Sequence, residues 1–126
     1  MTRRHLQLAE AERALAEGRA VEQWLGATDS AVGPVVSFVR CTMSRDRAFI
    51  VTLHRMIDSH TDASFDIYAL ESADLGEPTT VRCDAARTAL EHAIGDFGAR
   101  EDRFVNAGVV QDEYADHRNN TGRKSV

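Results

Sequence analysis

The sequence contains few cysteines, prolines and lysines. Its 126 residues include two cysteines, two prolines and one lysine, Lys124, against fourteen arginines. Cys41 and Cys83 are too few to build the disulfide framework on which small secreted domains depend. A chain of this length buries roughly two-thirds of its unfolded surface and needs neither a disulfide nor a metal to fold. We therefore expect reduced thiols in a cytoplasmic protein, and the arginine- and alanine-rich composition is typical of a GC-rich bacterial genome.

Long apolar runs are missing as well. No stretch approaches the roughly 20 apolar residues that a membrane-spanning helix needs. Residues 1–5 lead into a charged segment, without the apolar core of a signal peptide. The sequence therefore predicts a protein that does not enter a membrane.

The short motifs of common enzyme classes are absent too. The chain has no glycine-rich phosphate loop, no HExxH zinc motif, no GxSxG nucleophile motif and no CxxC pair. We expect no cofactor, and a non-enzymatic function is favoured. The formal net charge of −5 favours solubility and argues against a nucleic-acid-binding surface.

Two segments have the composition and periodicity of helices. Residues 4–25 are rich in good helix formers and predict a first helix that ends at Gly26. Its apolar face comprises Ala11, Ala14, Leu15, Gly18, Val21 and Leu25. Residues 27–34 predict a loop. A second helix is predicted from Asp84, as N-cap, to Phe97, with Gly98 ending it.

Three strand-like runs lie between these helices. They span residues 35–43, 49–57 and 65–70, and alternation is clearest in the second and third. The connections are too short for crossover helices, so neighbouring strands should be antiparallel. Residues 103–118 are compatible with a fourth strand near Phe104 or with a short polar helix from Gln111.

These elements predict an α+β fold in one domain, residues 1–118, followed by a flexible tail over residues 119–126. The expected order is an N-terminal helix, a three- or four-stranded antiparallel sheet, a second helix and a short C-terminal helix or strand. This order in a small acidic chain is similar to that of type III secretion chaperones, whose pattern adds two strands and a third helix. Size and acidity are similar to those of bacterial immunity proteins.

A further similarity concerns residues 37–40, Ser-Phe-Val-Arg, which resemble the strand arginine of SH2 phosphopeptide-binding domains. The residues that surround that arginine in SH2 domains are not present in this chain. All three similarities concern architecture, which does not determine function.

The second strand is apolar on both faces. Ile50 and Met56 point away from Phe49, Val51 and Leu53. A sheet covered on one side only would show a polar face, so either both faces are covered within the chain or one meets a partner. We expect the partner-binding residues to be Trp24, Ile50, His54, Met56, Asp112, Glu113 and Asp116.

This pattern predicts a non-enzymatic protein-binding domain with an immunity, antitoxin or chaperone-like role. The partner is another protein or, equally, a second copy in a homodimer. An alternative is a small enzyme or metal-binding domain. It would use Asp58, His60, Asp62, Glu113 and His117, because carboxylates and imidazoles at such spacings can bind a metal ion. That alternative requires residues 58–62 and 112–117 to converge.

Overall fold

The computed structural model describes residues 5–31, 33–58, 67–69, 71–72 and 79–124. Three helices are present in these ranges: α1 (Leu8–Ala16), α2 (Ala86–Phe97) and α3 (Val109–Lys124). The six strands are β1 (Val21–Ser30), β2 (Gly33–Met43), β3 (Phe49–Ile57), β4 (Glu71–Ser72), β5 (Thr79–Cys83) and β6 (Val105–Asn106), with a short 3-10 helix at Ile67–Ala69. The predicted α+β fold is confirmed. None of the described helices is both long and apolar enough to cross a bilayer.

All strand pairs in the sheet are antiparallel. The order across the sheet is β4–β3–β2–β1–β6, and β5 pairs with the same edge of β3 that β4 uses. Strands β1, β2 and β3 are long neighbours joined by tight turns, as expected for hairpins. The predicted strands 35–43 and 49–57 correspond closely to β2 and β3.

The predicted first helix is wrong beyond residue 16. Gly18 adopts a left-handed φ of 88°, and the amide of Arg19 donates to the carbonyl of Ala14, which ends the helix. The chain then enters β1, so Trp24 lies within a strand. Val21 and Leu25 satisfy the helical period by coincidence, and pairing with β2 outweighs local helix propensity.

The segment after β3 also differs from prediction. Residues 67–69 form a 3-10 helix where the third strand was expected, and residues 65, 66 and 70 lie outside the described residues. Two strands that sequence patterning missed, β4 and β5, pair with the outer edge of β3. Threonines and an arginine dominate β5, so it lacks the apolar alternation of an ordinary strand.

The C-terminal part is closer to expectation. Helix α2 ends at Gly98 with a left-handed φ of 80°, as predicted, although Ala85 rather than Asp84 is the N-cap. The ambiguous segment 103–118 contains both candidate elements, β6 followed by α3. Helix α3 continues to Lys124, past the point where the tail was predicted to begin.

Each face of the sheet has its own core. Helices α1 and α2 pack on the first face, where Val39, Cys41 and Val51 are buried. On the second face, Val36, Phe38 and Met56 pack with residues of the 3-10 helix and α3, namely Ile67, Val110 and Tyr114. Met56 of β3 is therefore buried on the second face within one chain, whereas Ile50 on the same face is only half-buried.

Candidate functional site

A fully buried carboxylate lies on the second face of the sheet. Glu22, in β1, has an exposed fraction of 0%. Its Oε1 accepts hydrogen bonds from the Tyr68 hydroxyl at 2.7 Å and from the Gly108 amide at 2.9 Å. Its Oε2 lies 3.4 Å from Nη1 of Arg40 and accepts no hydrogen bond from the residues that the structure describes. Burying a charge is costly unless it is paired and hydrogen-bonded, so these contacts hold Glu22 in place.

Strand alternation explains why Glu22 points to this face. Its neighbours Val21 and Gln23 point to the first face, and Arg40 is its direct cross-strand partner on β2. On the other side, Gly108 immediately precedes α3, so the carboxylate lies at the positive end of that helix. Gly108 has a φ of 100°, a conformation that suits glycine at this junction.

Three side chains with rings, Phe38, His54 and Tyr68, contact one another on the same face of the sheet as Arg40. The His54 ring stacks on Phe38 with centroids 4.7 Å apart, and the edge of Tyr68 meets Phe38 at 5.6 Å. Unlike Glu22, the Arg40 side chain is 40% exposed and Tyr68 is 38% exposed. We call Glu22, Phe38, Arg40, His54 and Tyr68 the Arg40 cluster.

The environment of the Arg40 cluster keeps His54 and Tyr68 neutral. Burial lowers the pKa of His54, and the positive charge of Arg40 lowers it further, partly offset by Glu22. Burial and the hydrogen bond to Glu22 raise the pKa of Tyr68 well above its ordinary value. At neutral pH the cluster thus presents one guanidinium, a neutral imidazole and a neutral phenol.

The surface beside the Arg40 cluster is lined by short side chains. Arg40, Thr52 and Thr80 are cross-strand neighbours on β2, β3 and β5, and Thr42, Ile50 and Arg82 form the next row. Helix α3 packs mainly on β1 and β6, at the other side of this face. Thr80 and Arg82 are exposed, and Thr42, Ile50 and Thr52 are half-buried. We call these six residues, with His54, the open half of the second face.

The residues predicted to bind a partner are distributed over this face and α3. Ile50 and His54 lie in the open half, whereas Met56 belongs to the second core. Trp24 packs beside Tyr114 and His117, with ring centroids 6.2 Å and 5.4 Å away. Asp112 and Asp116 are exposed on α3, and Oε2 of Glu113 lies 3.5 Å from Nε2 of His5.

The alternative metal site is not assembled by the described residues. Asp58 does meet α3, but through Tyr114, whose hydroxyl donates to Oδ1 of Asp58 at 2.8 Å. Glu113 and His117 face His5 and Trp24 instead. His60 and Asp62 lie outside the described residues, and no group of three metal-ligating side chains occurs within them.

Cys41 and Cys83 are free and buried in the first core. Burial and the neighbouring Cys83 thiol raise the pKa of Cys41 to about 12. Burial, followed by the carboxylates of Asp84 and Asp96, raises the pKa of Cys83. Both thiols are therefore protonated at neutral pH and poorly nucleophilic.

Sequence reasoning did not include Glu22, Arg40 or Tyr68 among the candidate site residues, although Arg40 carried the similarity to SH2 domains. It placed Glu22 on the exposed side of a helix, where a glutamate needs no explanation. Residues 21–24 carry no clear strand signal, because each alternate pair, Val21 with Gln23 and Glu22 with Trp24, combines one apolar and one polar residue. No family model, curated protein or solved structure matches the chain.

Proposed function

We propose that this chain is a non-enzymatic binding domain that holds acidic side chains of a protein partner against the open half of the second face. The observation that supports this proposal is the pairing of buried Glu22 with half-exposed Arg40, at 3.4 Å. A guanidinium that is held on one side by a carboxylate has further N–H donors with which it can bind a carboxylate of a partner. Such a fixed group loses little conformational entropy on binding.

The charge around the open half favours an acidic partner. Arg45 and Arg47 are exposed in the turn between β2 and β3, and Arg82 pairs with Asp46 in that turn. Together with Arg40, four arginines stand against two carboxylates, Asp46 and the Arg40 partner Glu22, a local charge of +2 in a chain of net charge −5. Hydrogen bonds from Ser44 and Arg82 lower the pKa of Asp46 to about 2, so this balance persists at neutral pH.

The shape of the open half favours a protein over a small ligand. Small-molecule sites are concave, whereas the open half lies on the face of a sheet, where Thr52 pairs directly with Thr80 and Thr42 lies in the adjacent row. Protein interfaces combine a flat surface with a few arginine and aromatic anchors. Arg40, His54 and Tyr68 are suited to that role, and an immunity, antitoxin or chaperone-like activity in the bacterial cytoplasm is consistent with it.

Fluorescence anisotropy of labelled hexaglutamate tests the proposal, with labelled hexaglutamine as the neutral control. We expect saturable, salt-sensitive binding of hexaglutamate only. Arg40→Lys keeps a cation beside Glu22 but removes the planar fork, and should weaken binding about tenfold, a typical effect of losing one charge-assisted contact. Arg87→Gln, an exposed arginine on α2, is the matched control and should leave binding unchanged. Equal binding of both peptides, or equal losses in both variants, would rule the proposal out.

A further inference from the structure

A separate cavity lies where the edge of β1 meets the segment that follows α2. It measures about 290 Å³. Strand β6 pairs with β1 only at Val21 and Glu22, and the cavity begins beyond that point. Its lining comprises Gln23, Trp24, Leu25, Gly26, Gly98, Arg100, Arg103 and Glu113. Neither the sequence motifs nor the Arg40 cluster accounts for it.

The walls of this cavity are firmly held. Gln23 is buried and bonds the Arg100 backbone in both directions, donating from Nε2 to the carbonyl at 2.8 Å and accepting from the amide at 2.7 Å. A bulge between Trp24 and Gly26 bends β1 at the same place. Bulges often redirect a strand beside a functional site. Gly98 ends α2 opposite the bulge in a left-handed conformation.

The charges that line the cavity are unequal. Arg100 and Arg103 are both exposed, and Nε of Arg100 lies 3.9 Å from Oδ1 of exposed Asp102. Glu113 supplies one carboxylate; its Oε1 is buried without a hydrogen-bond partner among the described residues. Two cations and one anion give the lining a charge of +1. A ligand with two carboxylates and one ammonium group has the complementary charges in the same ratio.

We propose that this cavity binds a small dicarboxylic α-amino acid. Arg100 and Arg103 bind its carboxylates, and Glu113 accepts hydrogen bonds from its ammonium group after a small side-chain rotation that brings Oε1 to the surface. The volume lies just below the usual range of about 300–1,000 Å³ for pockets of drug-sized ligands, which suits a molecule of amino-acid size. Trp24 and Leu25 exclude water from one side and strengthen these charged contacts.

The single tryptophan makes the proposal directly measurable, because Trp24 lines the cavity. The full chain is titrated with L-glutamate while tryptophan fluorescence and binding heat are recorded. Glutarate, which lacks the ammonium group, and L-glutamine, which lacks the second carboxylate, are the comparison ligands. We expect both to bind about tenfold more weakly than L-glutamate, the effect of losing one charged contact.

Three variants assign the contacts. Glu113→Gln should abolish the preference for L-glutamate over glutarate, and Arg103→Gln should abolish or sharply reduce the preference over L-glutamine. Arg87→Gln should change neither. Circular dichroism tests whether each variant is folded. If Glu113→Gln does not fold, the Arg103→Gln variant and the three ligands still test the proposal. Two results would overturn the proposal. One is the absence of saturation at about 10 mM L-glutamate, which lies above a typical micromolar to millimolar Kd, and the other is equal affinity for all three ligands.

Discussion

Tyr114, in the middle of α3, donates its hydroxyl proton to Oδ1 of Asp58 at the end of β3, across 2.8 Å. Both side chains are buried, at 0% and 3% exposure. The amide of Asp58 in turn donates to the carbonyl of Pro34 at 2.8 Å, so the contact joins α3 to both long central strands. This hydrogen bond holds α3 in place over the second core.

Tyr114→Phe should therefore destabilise the fold by about 1–3 kcal/mol, because it removes a buried hydrogen bond to a carboxylate while preserving the ring. Urea unfolding of the purified protein measures the change. Asp58→Asn retains an acceptor oxygen and should cost less. A Tyr114→Phe variant as stable as the wild type would show that this hydrogen bond makes no net contribution to the free energy of unfolding.

The pair Glu22 and Arg40 should respond asymmetrically to substitution. Arg40→Gln leaves a fully buried carboxylate without its cation and should cost about 3 kcal/mol or more. Glu22→Gln leaves a guanidinium that water already reaches at 40% exposure, and should cost less, about 1–2 kcal/mol. Urea unfolding of both variants and of the double variant gives the coupling energy. A larger loss of stability in Glu22→Gln than in Arg40→Gln would contradict the conclusion that Glu22 depends more on the pair than Arg40 does.

The lowered pKa of His54 predicts a dependence of stability on pH. In the unfolded chain His54 titrates near the ordinary histidine pKa of 6.5, whereas the folded side chain stays neutral to lower pH. The unfolded state therefore binds more protons as pH falls below that value, and the contribution of neutral His54 to the free energy of unfolding declines until the folded group also protonates.

Comparison with His54→Phe isolates this contribution, since the variant keeps a ring stacked on Phe38 but cannot titrate. Between about pH 7 and pH 5, a range set by the ordinary histidine pKa, the wild type should lose more stability than His54→Phe. Parallel losses in urea unfolding would show that His54 titrates normally in the folded protein.

Two glycines should respond in opposite directions to alanine. At Gly18 the φ is 88° and a Cβ would lie 3.0 Å from Cε of Met43, so Gly18→Ala should cost about 1–2 kcal/mol. Gly95 lies within α2, and a Cβ added there would meet nothing within 4 Å, so Gly95→Ala should gain about 0.5–1 kcal/mol. Thermal unfolding followed by circular dichroism compares the pair. A stabilising Gly18→Ala would contradict the left-handed end of α1.

Self-association remains a prediction, and the structure suggests its chemistry. The basic open half and the exposed Asp112 on α3 are complementary in charge, so two copies could pair reciprocally. Light scattering after size exclusion should then show a dimer at low salt that dissociates as salt screens the contact. Asp112→Arg reverses an exposed charge and should give a monomer, and a wild-type protein that is monomeric at low salt would exclude this dimer.

Local chemistry was sufficient to predict part of this fold. The β2–β3 hairpin followed from two strand-like runs around a short polar turn. The end of α2 at Gly98 followed from a helical apolar face that stops at a residue free to adopt positive φ. These features depend on neighbouring residues, so the sequence alone determined them.

Contacts between distant parts of the chain determined the conformation of residues 17–30 and the burial of Glu22. Good helix formers make up most of residues 17–25, whereas nine cross-strand pairings between β1 and β2 bury Val21 and enclose Glu22. The candidate site also depends on partners far along the chain, because Tyr68 and Gly108 reach Glu22 only after the sheet and α3 have assembled. The sequence alone indicated that β3 is apolar on both faces, and long-range packing decided that the chain's own elements bury Met56 on the second face while Ile50 stays half-buried.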